Sequence, residues 1–422
     1  MGLSNRRWAS GLALAALSVA ACGRRNGKSG QGPYGDLVID AVPKVEKAVG
    51  VPFKTPPRFS VLTKEQVRGF LMKKFNEETP QAELVGQEAA YKAFGLIPDS
   101  LNLRQFLVNL LTEQIVGYYD PAAKQLYIVK DAPEDLAGIT VTHELVHALQ
   151  DQYINLDSIQ RATGDNDRQT AVQAVIEGEA TYEQMAIMTG GQNLDTLIPG
   201  GWDRVRDMIR QSQKSQPIFA SAPEAIQEEL LFPYLSGAEF MRRFTEHYPG
   251  KLPLNDLPVS TTQILHEPAF FDSVRDVPAH VSLPATKGET VYENDLGEFD
   301  TRLFVYQHTH DQTLATNAAD GWDGGRYRIL KEPAGTAVVW VTVWRSVVDA
   351  AEFVDALGQV AERRYRTPNP DLIYTGQRTY RGSKRTVVVT PMVIAGRHVV
   401  VYLDVPTGSS TALMNDAAVT VK

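Results

Sequence analysis

The stretch THELVHALQD, residues 142–151, restricts the possible folds of this chain more than any other. His143 and His147 stand four apart, so on an α-helix they lie one turn above each other on one face. Glu144 sits about 100° further round. Ile139, Val141, Leu145, Val146, Ala148 and Leu149 surround these three on several sides, so the helix is expected to be largely buried. Buried imidazoles and a buried carboxylate need partners. A metal ion satisfies all three at once, with the two histidines as ligands and the glutamate within reach of a water on the metal.

A catalytic site of this kind needs a third protein ligand and an open fourth position. The segment VIEGEAT offers Glu177 or Glu179. Glu177 follows His147 by thirty residues, enough for a loop and a second helix returning alongside the first. It lies among Ala174, Val175 and Ile176 and precedes Gly178, which permits close helix approach. Glu179 is about 200° round the same helix, so only one of the two is expected to point inward. The apolar flank favours Glu177 as ligand and leaves Glu179 behind it. Asp151, one turn after His147, is positioned to accept from a ligand histidine.

The rest of the chain is ordinary globular sequence: 422 residues, 43% hydrophobic, net charge −8. No basic cluster exists beyond the first residues, which argues against nucleic acid as a partner. Arg6 and Arg7 precede an apolar run that ends in VAAC, the form of a bacterial lipoprotein signal. Residues 1–21 are therefore expected to be a signal peptide, Cys22 the lipid-modified residue, and 22–35 a Gly-rich tether. A protein so processed is extracytoplasmic and held to a bacterial membrane. Helical spacing runs through 36–290, interrupted by a hairpin whose second strand is Leu126 to Lys130, with the HELVH helix starting near Ile139 and a break expected in 201–248 at Phe232-Pro233-Tyr234. From about residue 291 to 422, strands surround one long helix, which reads as a smaller α+β domain. The fold class is α+β. In DGWDGGRYR, residues 320–328, the two glycines suggest a turn leading into a strand, and His308 and His310 would suit a strand face.

With HELVH followed by a glutamate in a second helix, the chain resembles the gluzincin group of zinc metallopeptidases, which includes thermolysin-like enzymes and membrane-alanyl-type aminopeptidases. IEGEA is similar to the N-E-G-x-A segment of the latter, whose glutamate before glycine is the third ligand, and this maps onto Glu177. The metzincin pattern fails, because Gln150 and Tyr153 stand where its glycine and third histidine belong. The spacing to the glutamate is longer than in the aminopeptidases, and no G-A-M-E-N-like segment occurs. The pattern from VGYYDP through HELVHALQDQ to EGEAT also looks like a group of poorly characterised bacterial HExxH lipoproteins.

The resemblance implies a mainly helical, zincin-like domain with one catalytic zinc ion, acting on protein or peptide substrates, as an endopeptidase rather than an exopeptidase. It implies Glu144 as general base. It implies a cleft-edge strand, here Leu126, Tyr127, Ile128 and Val129, that pairs with extended substrate. A stabiliser of the developing oxyanion is expected from Tyr234, His266 or Tyr182. The competing reading is a zinc-stabilised envelope scaffold lipoprotein without turnover, in which Glu144 is dispensable.

Overall fold

The computed structural model describes residues 34–77, 81–160, 164–192, 197, 200–367, 370–372 and 376–422. The signal peptide, Cys22 and nearly all of the tether lie outside them. Among the described residues, no helix is long and apolar enough to cross a membrane.

The chain opens with α1 (Gly35–Val49), β1 (Phe59–Leu62), α2 (Lys64–Glu77), α3 (Gln81–Phe94) and α4 (Leu103–Gln114). The expected hairpin follows as β2 (Gly117–Asp120) and β3 (Gln125–Val129). Its setting differs from expectation. The small sheet has the order β1-β3-β2, so β3 is its central strand. Phe59 to Leu62 pair in parallel with Leu126 to Val129, and β2 pairs antiparallel on the other side. Both edges of Leu126, Tyr127, Ile128 and Val129 are thus saturated by this chain, and β3 cannot be the edge strand that receives a substrate. A parallel partner more than sixty residues upstream leaves no local pattern by which to foresee it.

α5 (Glu134–Tyr153) carries the HELVH motif. It begins five residues before Ile139, because Pro133 sets an extended entry and Glu134 and Asp135 place negative charge on the first turn. After α6 (Leu156–Gln160) comes α7 (Asn166–Met188), whose N-cap Asp165 accepts from the Arg168 backbone N–H at 2.9 Å. These two helices lack a solvent face in their middles: residues 140–151 and 170–181 are buried throughout. α1 covers α5, packing Val38, Ala41 and Val45 against Leu145, Ala148 and Leu149.

The region 201–248 forms α8 (Gly201–Lys214), α9 (Pro217–Ala220) and α10 (Glu224–His247). The breaks fall at Gln216-Pro217 and before Pro223, not at Pro233, which lies inside α10. Gln216 is extended, as a residue before proline prefers to be. α10 crosses α7 at backbone contact. A Cβ on Gly178 would stand 2.3 Å from the Gly237 carbonyl carbon, and one on Gly237 would stand 2.0 Å from the Ala174 oxygen.

Two short helices, α11 (Thr261–Leu265) and α12 (Glu267–Phe271), and strand β4 (Val281–Ser282) lead to the second sheet. That sheet contains β5 (Glu289–Asn294), β6 (Trp322–Glu332), β7 (Gly335–Trp344), β8 (Asp371–Leu372), β9 (Arg378–Arg381), β10 (Arg385–Ile394) and β11 (Arg397–Pro406). Its order is β5-β6-β7-β11-β10-β9-β8. Helix α15 (Val347–Tyr365) packs on one face, and α13 (Glu298–Thr309) and α14 (Gln312–Ala319) pack against α15. Val281, Leu413, Val419 and Val421, the last in β12 (Thr420–Val421), cover the other face. The architecture is therefore α+β, with a helical N-terminal part and a sheet-rich C-terminal part.

The two parts share core. Phe94 of α3 meets Phe304, Tyr327 and Trp340 edge-on, with ring centroids 5.1–5.6 Å apart. The glycine pair of DGWDGG lies inside β6, not in a turn: Gly324, at φ +135°, forms part of a bulge where the strand passes the Ala279 carbonyl. His308 and His310 are at the end of α13, not on a strand; His308 donates to the Phe94 carbonyl at 2.8 Å.

Candidate metal centre

α5 and α7 run side by side and turn three donor atoms toward one point. His143 Nε2 lies 3.2 Å from His147 Nε2 and 3.2 Å from Glu177 Oε2, and His147 Nε2 lies 3.3 Å from the same oxygen. All three residues are buried. A tetrahedral ion about 2.0–2.1 Å from each ligand sets its ligand atoms roughly 3.3–3.4 Å apart, so the triangle has the right size. His143, His147 and Glu177 can hold a metal ion.

The hydrogen bonds behind the triangle support the same conclusion. His147 Nδ1 donates to Gln150 Oε1 at 2.8 Å, and His143 Nδ1 donates to Gln184 Oε1 at 3.1 Å. With the proton on Nδ1, each neutral ring presents its Nε2 lone pair to the triangle. Two lone pairs and a carboxylate oxygen at such separations repel unless a cation lies among them. The charges around the triangle also act on one another. Burial opposes the charged form of His143 and holds its pKa down, and His147 adds to this. Burial also opposes charge on His147 and Glu177, but each offsets the other: the carboxylate pushes His147 up and the imidazole pushes Glu177 down.

Glu144 lies next to the triangle and is wholly buried. The Tyr119 backbone N–H, on the outer side of β2, donates to its Oε2 at 2.6 Å and fixes its direction. The strand beside the centre is therefore β2. The Tyr119 hydroxyl donates to Asp151 at 2.7 Å.

Asp151 does not address a ligand histidine. It accepts from Tyr119, from Lys124 Nζ at 2.7 Å and from the Leu156 N–H at 3.1 Å, fastening the hairpin to α5. Gln150, one residue earlier, takes the role expected of Asp151, because it is the i+3 neighbour of His147 whose side chain reaches Nδ1. Glu179 is buried too, although only one of Glu177 and Glu179 was expected to point inward. The 200° separation holds, but α7 has protein on all sides, so both directions lead into the interior. Gln150 Nε2 donates to Glu179 Oε2 at 2.8 Å and to the Ile176 carbonyl at 3.1 Å. Burial raises the Glu179 carboxyl to about 7, against the opposing hydrogen bond from Gln150. Gln173 Nε2 donates to the other oxygen of Glu177 at 2.8 Å.

Of the expected oxyanion candidates, Tyr234 is at the centre: its ring lies near-parallel to that of His143, with centroids 6.0 Å apart. His266 is elsewhere. It pairs with Glu298 at 2.5 Å, in a region tied through Thr261 to Asp167. Asp167 stands ten residues before Glu177, roughly 15 Å along the helix. Tyr182 bonds to Thr245. The residues missed in the sequence are Gln150, Gln173, Gln184 and the Tyr119 amide. Their only signal was glutamine at buried helix positions, which periodicity does not separate from a solvated face.

A family model described as a domain of unknown function, DUF8575, matches residues 285–412. That span covers the second sheet and α15 and contains no residue of the metal centre. No curated protein and no solved structure matches the chain.

Proposed function

We propose that this chain is a zinc-dependent peptide hydrolase, acting as an endopeptidase at a bacterial cell envelope to which Cys22 anchors it. One observation carries the reading: three zinc-type ligand atoms meet at 3.2–3.3 Å, and the buried Glu144 carboxylate beside them is aimed by a backbone N–H. The donor set, two imidazoles and one carboxylate, suits zinc, and a catalytic zinc site has three protein ligands. Bound zinc supplies a Lewis acid that activates water and polarises a carbonyl. Glu144 takes a proton from the attacking water and returns it to the leaving amine. Tyr234 lines the centre beside His143 and is the group best placed to donate to the developing oxyanion.

The complete burial of His143, Glu144, His147 and Glu177 favours a second reading, a zinc-stabilised scaffold without turnover. The two separate on Glu144→Gln. In the hydrolase, wild type and variant both hold one zinc, and the variant cleaves a casein or peptide-library substrate about 10²–10⁴-fold more slowly. Zinc in both with no cleavage by either would leave the scaffold. A protein without zinc would remove both readings.

A further inference from the structure

Metal-ligating histidines are commonly held from behind by a carboxylate, a backbone carbonyl or water. Here each imidazole faces the oxygen of a buried glutamine amide, from two different helices. Amides are ambiguous partners, because a half-turn replaces the acceptor with a donor. A donor facing Nδ1 would leave the proton on Nε2, and that nitrogen could not ligate. Gln150 is protected against this turn: its NH₂ group is engaged by two acceptors, the Ile176 carbonyl and Glu179 Oε2. Glu179 is thus one hydrogen bond further from the triangle than Gln150. Apolar side chains would fill these positions at no polar desolvation cost.

We infer that Gln150 and Gln184 are positioning residues that hold both histidines with the proton on Nδ1 through neutral acceptors, and that Glu179 acts through Gln150 by fixing its amide. The inference rests on the metal reading proposed above. It also accounts for the use of amides where carboxylates are usual. Glu177 already supplies the one negative charge among the ligands, and Glu144 and Glu179 are buried close by. A carboxylate behind each ring would add two more, whereas a neutral oxygen orients the ring and leaves the positive charge on the ion undiminished.

The test is zinc affinity, measured by chelator competition on wild type, Gln184→Met, Gln184→Glu and Glu179→Met. Gln184→Met keeps the bulk and removes the acceptor; a loss of about 10–100-fold is expected. Gln184→Glu restores an acceptor and is expected to bind at least as tightly as wild type. Glu179→Met releases the Gln150 amide and is expected to weaken binding by less than Gln184→Met. Long-range ¹H–¹⁵N correlation on zinc-loaded wild type needs no variant to fold, and should show the proton on Nδ1 of both His143 and His147. Zinc binding by wild type with Gln184→Met within about threefold of it would overturn this inference and leave the metal reading intact. Equal losses in Gln184→Met and Gln184→Glu, or a proton on Nε2 of either ring, would overturn it as well. Absence of zinc from wild type would remove the metal reading itself, a result that cannot be mistaken for the others.

Discussion

The middle of strand β7 and the middle of helix α7 are both buried but filled in opposite ways. From Val338 to Trp344 every residue of β7 is at most 1% exposed, and Thr342 is the only polar one. The matching stretch of α7, residues 170–181, is also buried but contains Thr170, Gln173, Glu177, Glu179 and Thr181. Apolar filling gains from every atom removed from water. Polar filling loses that gain and is tolerated only where each group finds a partner. The sheet is therefore where the chain obtains stability. The helix pair is where it gives some up in exchange for a directed set of donors, and the polar network predicts a dependence on metal that the sheet should not show.

The sharpest break is Trp340→Ala. It removes a ring that touches Phe94, Phe304, Phe353 and Tyr402. Denaturant titration should show a loss of about 3–5 kcal/mol, equal with zinc and with chelator. Wild type should instead lose about 4 kcal/mol on chelation when zinc had been a thousandfold above its Kd. A loss from Trp340→Ala that appears only with zinc present would merge the two regions into one.

Next in size is a pH effect where the two parts meet. Burial first, and Arg364 second, hold His308 down to about 4, while its ring donates to the Phe94 carbonyl. An unfolded histidine takes up a proton near pH 6.5. Between those values the unfolded chain binds more protons than the folded one, so this contribution is complete above pH 6.5 and is lost as pH falls toward 4. The loss is on the order of 3 kcal/mol. Urea midpoints for His308→Gln should fall less steeply than wild type between pH 7 and 4.5. Parallel curves would show that His308 does not couple the sheet-rich part to the helices.

The smallest expected effect is at the α7–α10 crossing. Gly178→Ala puts a methyl group against the Gly237 backbone, which cannot move aside as a side chain can. A cost of about 1–3 kcal/mol is expected. Because Gly178 adjoins Glu177, zinc affinity should fall with it. The same cost with unchanged zinc affinity would mean that α7 and α10 pack independently of the centre.

These regions also differ in how far they could be read beforehand. The histidine pair follows from His143 and His147 lying four apart on one helix, a local rule that the surrounding fold does not alter. Glu177 was recoverable from its apolar flank and from the resemblance of IEGEA to N-E-G-x-A. Asp151 and His266 were misplaced because a hydrogen-bonding side chain on a helix or loop has many partners within reach. Asp151 met Tyr119 and Lys124, and His266 met Glu298.

By itself, then, the sequence determined the elements whose cause is short-range: the two ligand helices, the hairpin, the strand-rich C-terminal part, and the histidine pair on one helix face. Only the tertiary structure decided that β3 is central, that α5 and α7 are enclosed on every side, and that Gln150 and Gln184 stand behind the histidines. Those outcomes depend on which distant segments arrive as neighbours. Hydrophobic periodicity reports whether a face is buried, but carries no information about what buries it.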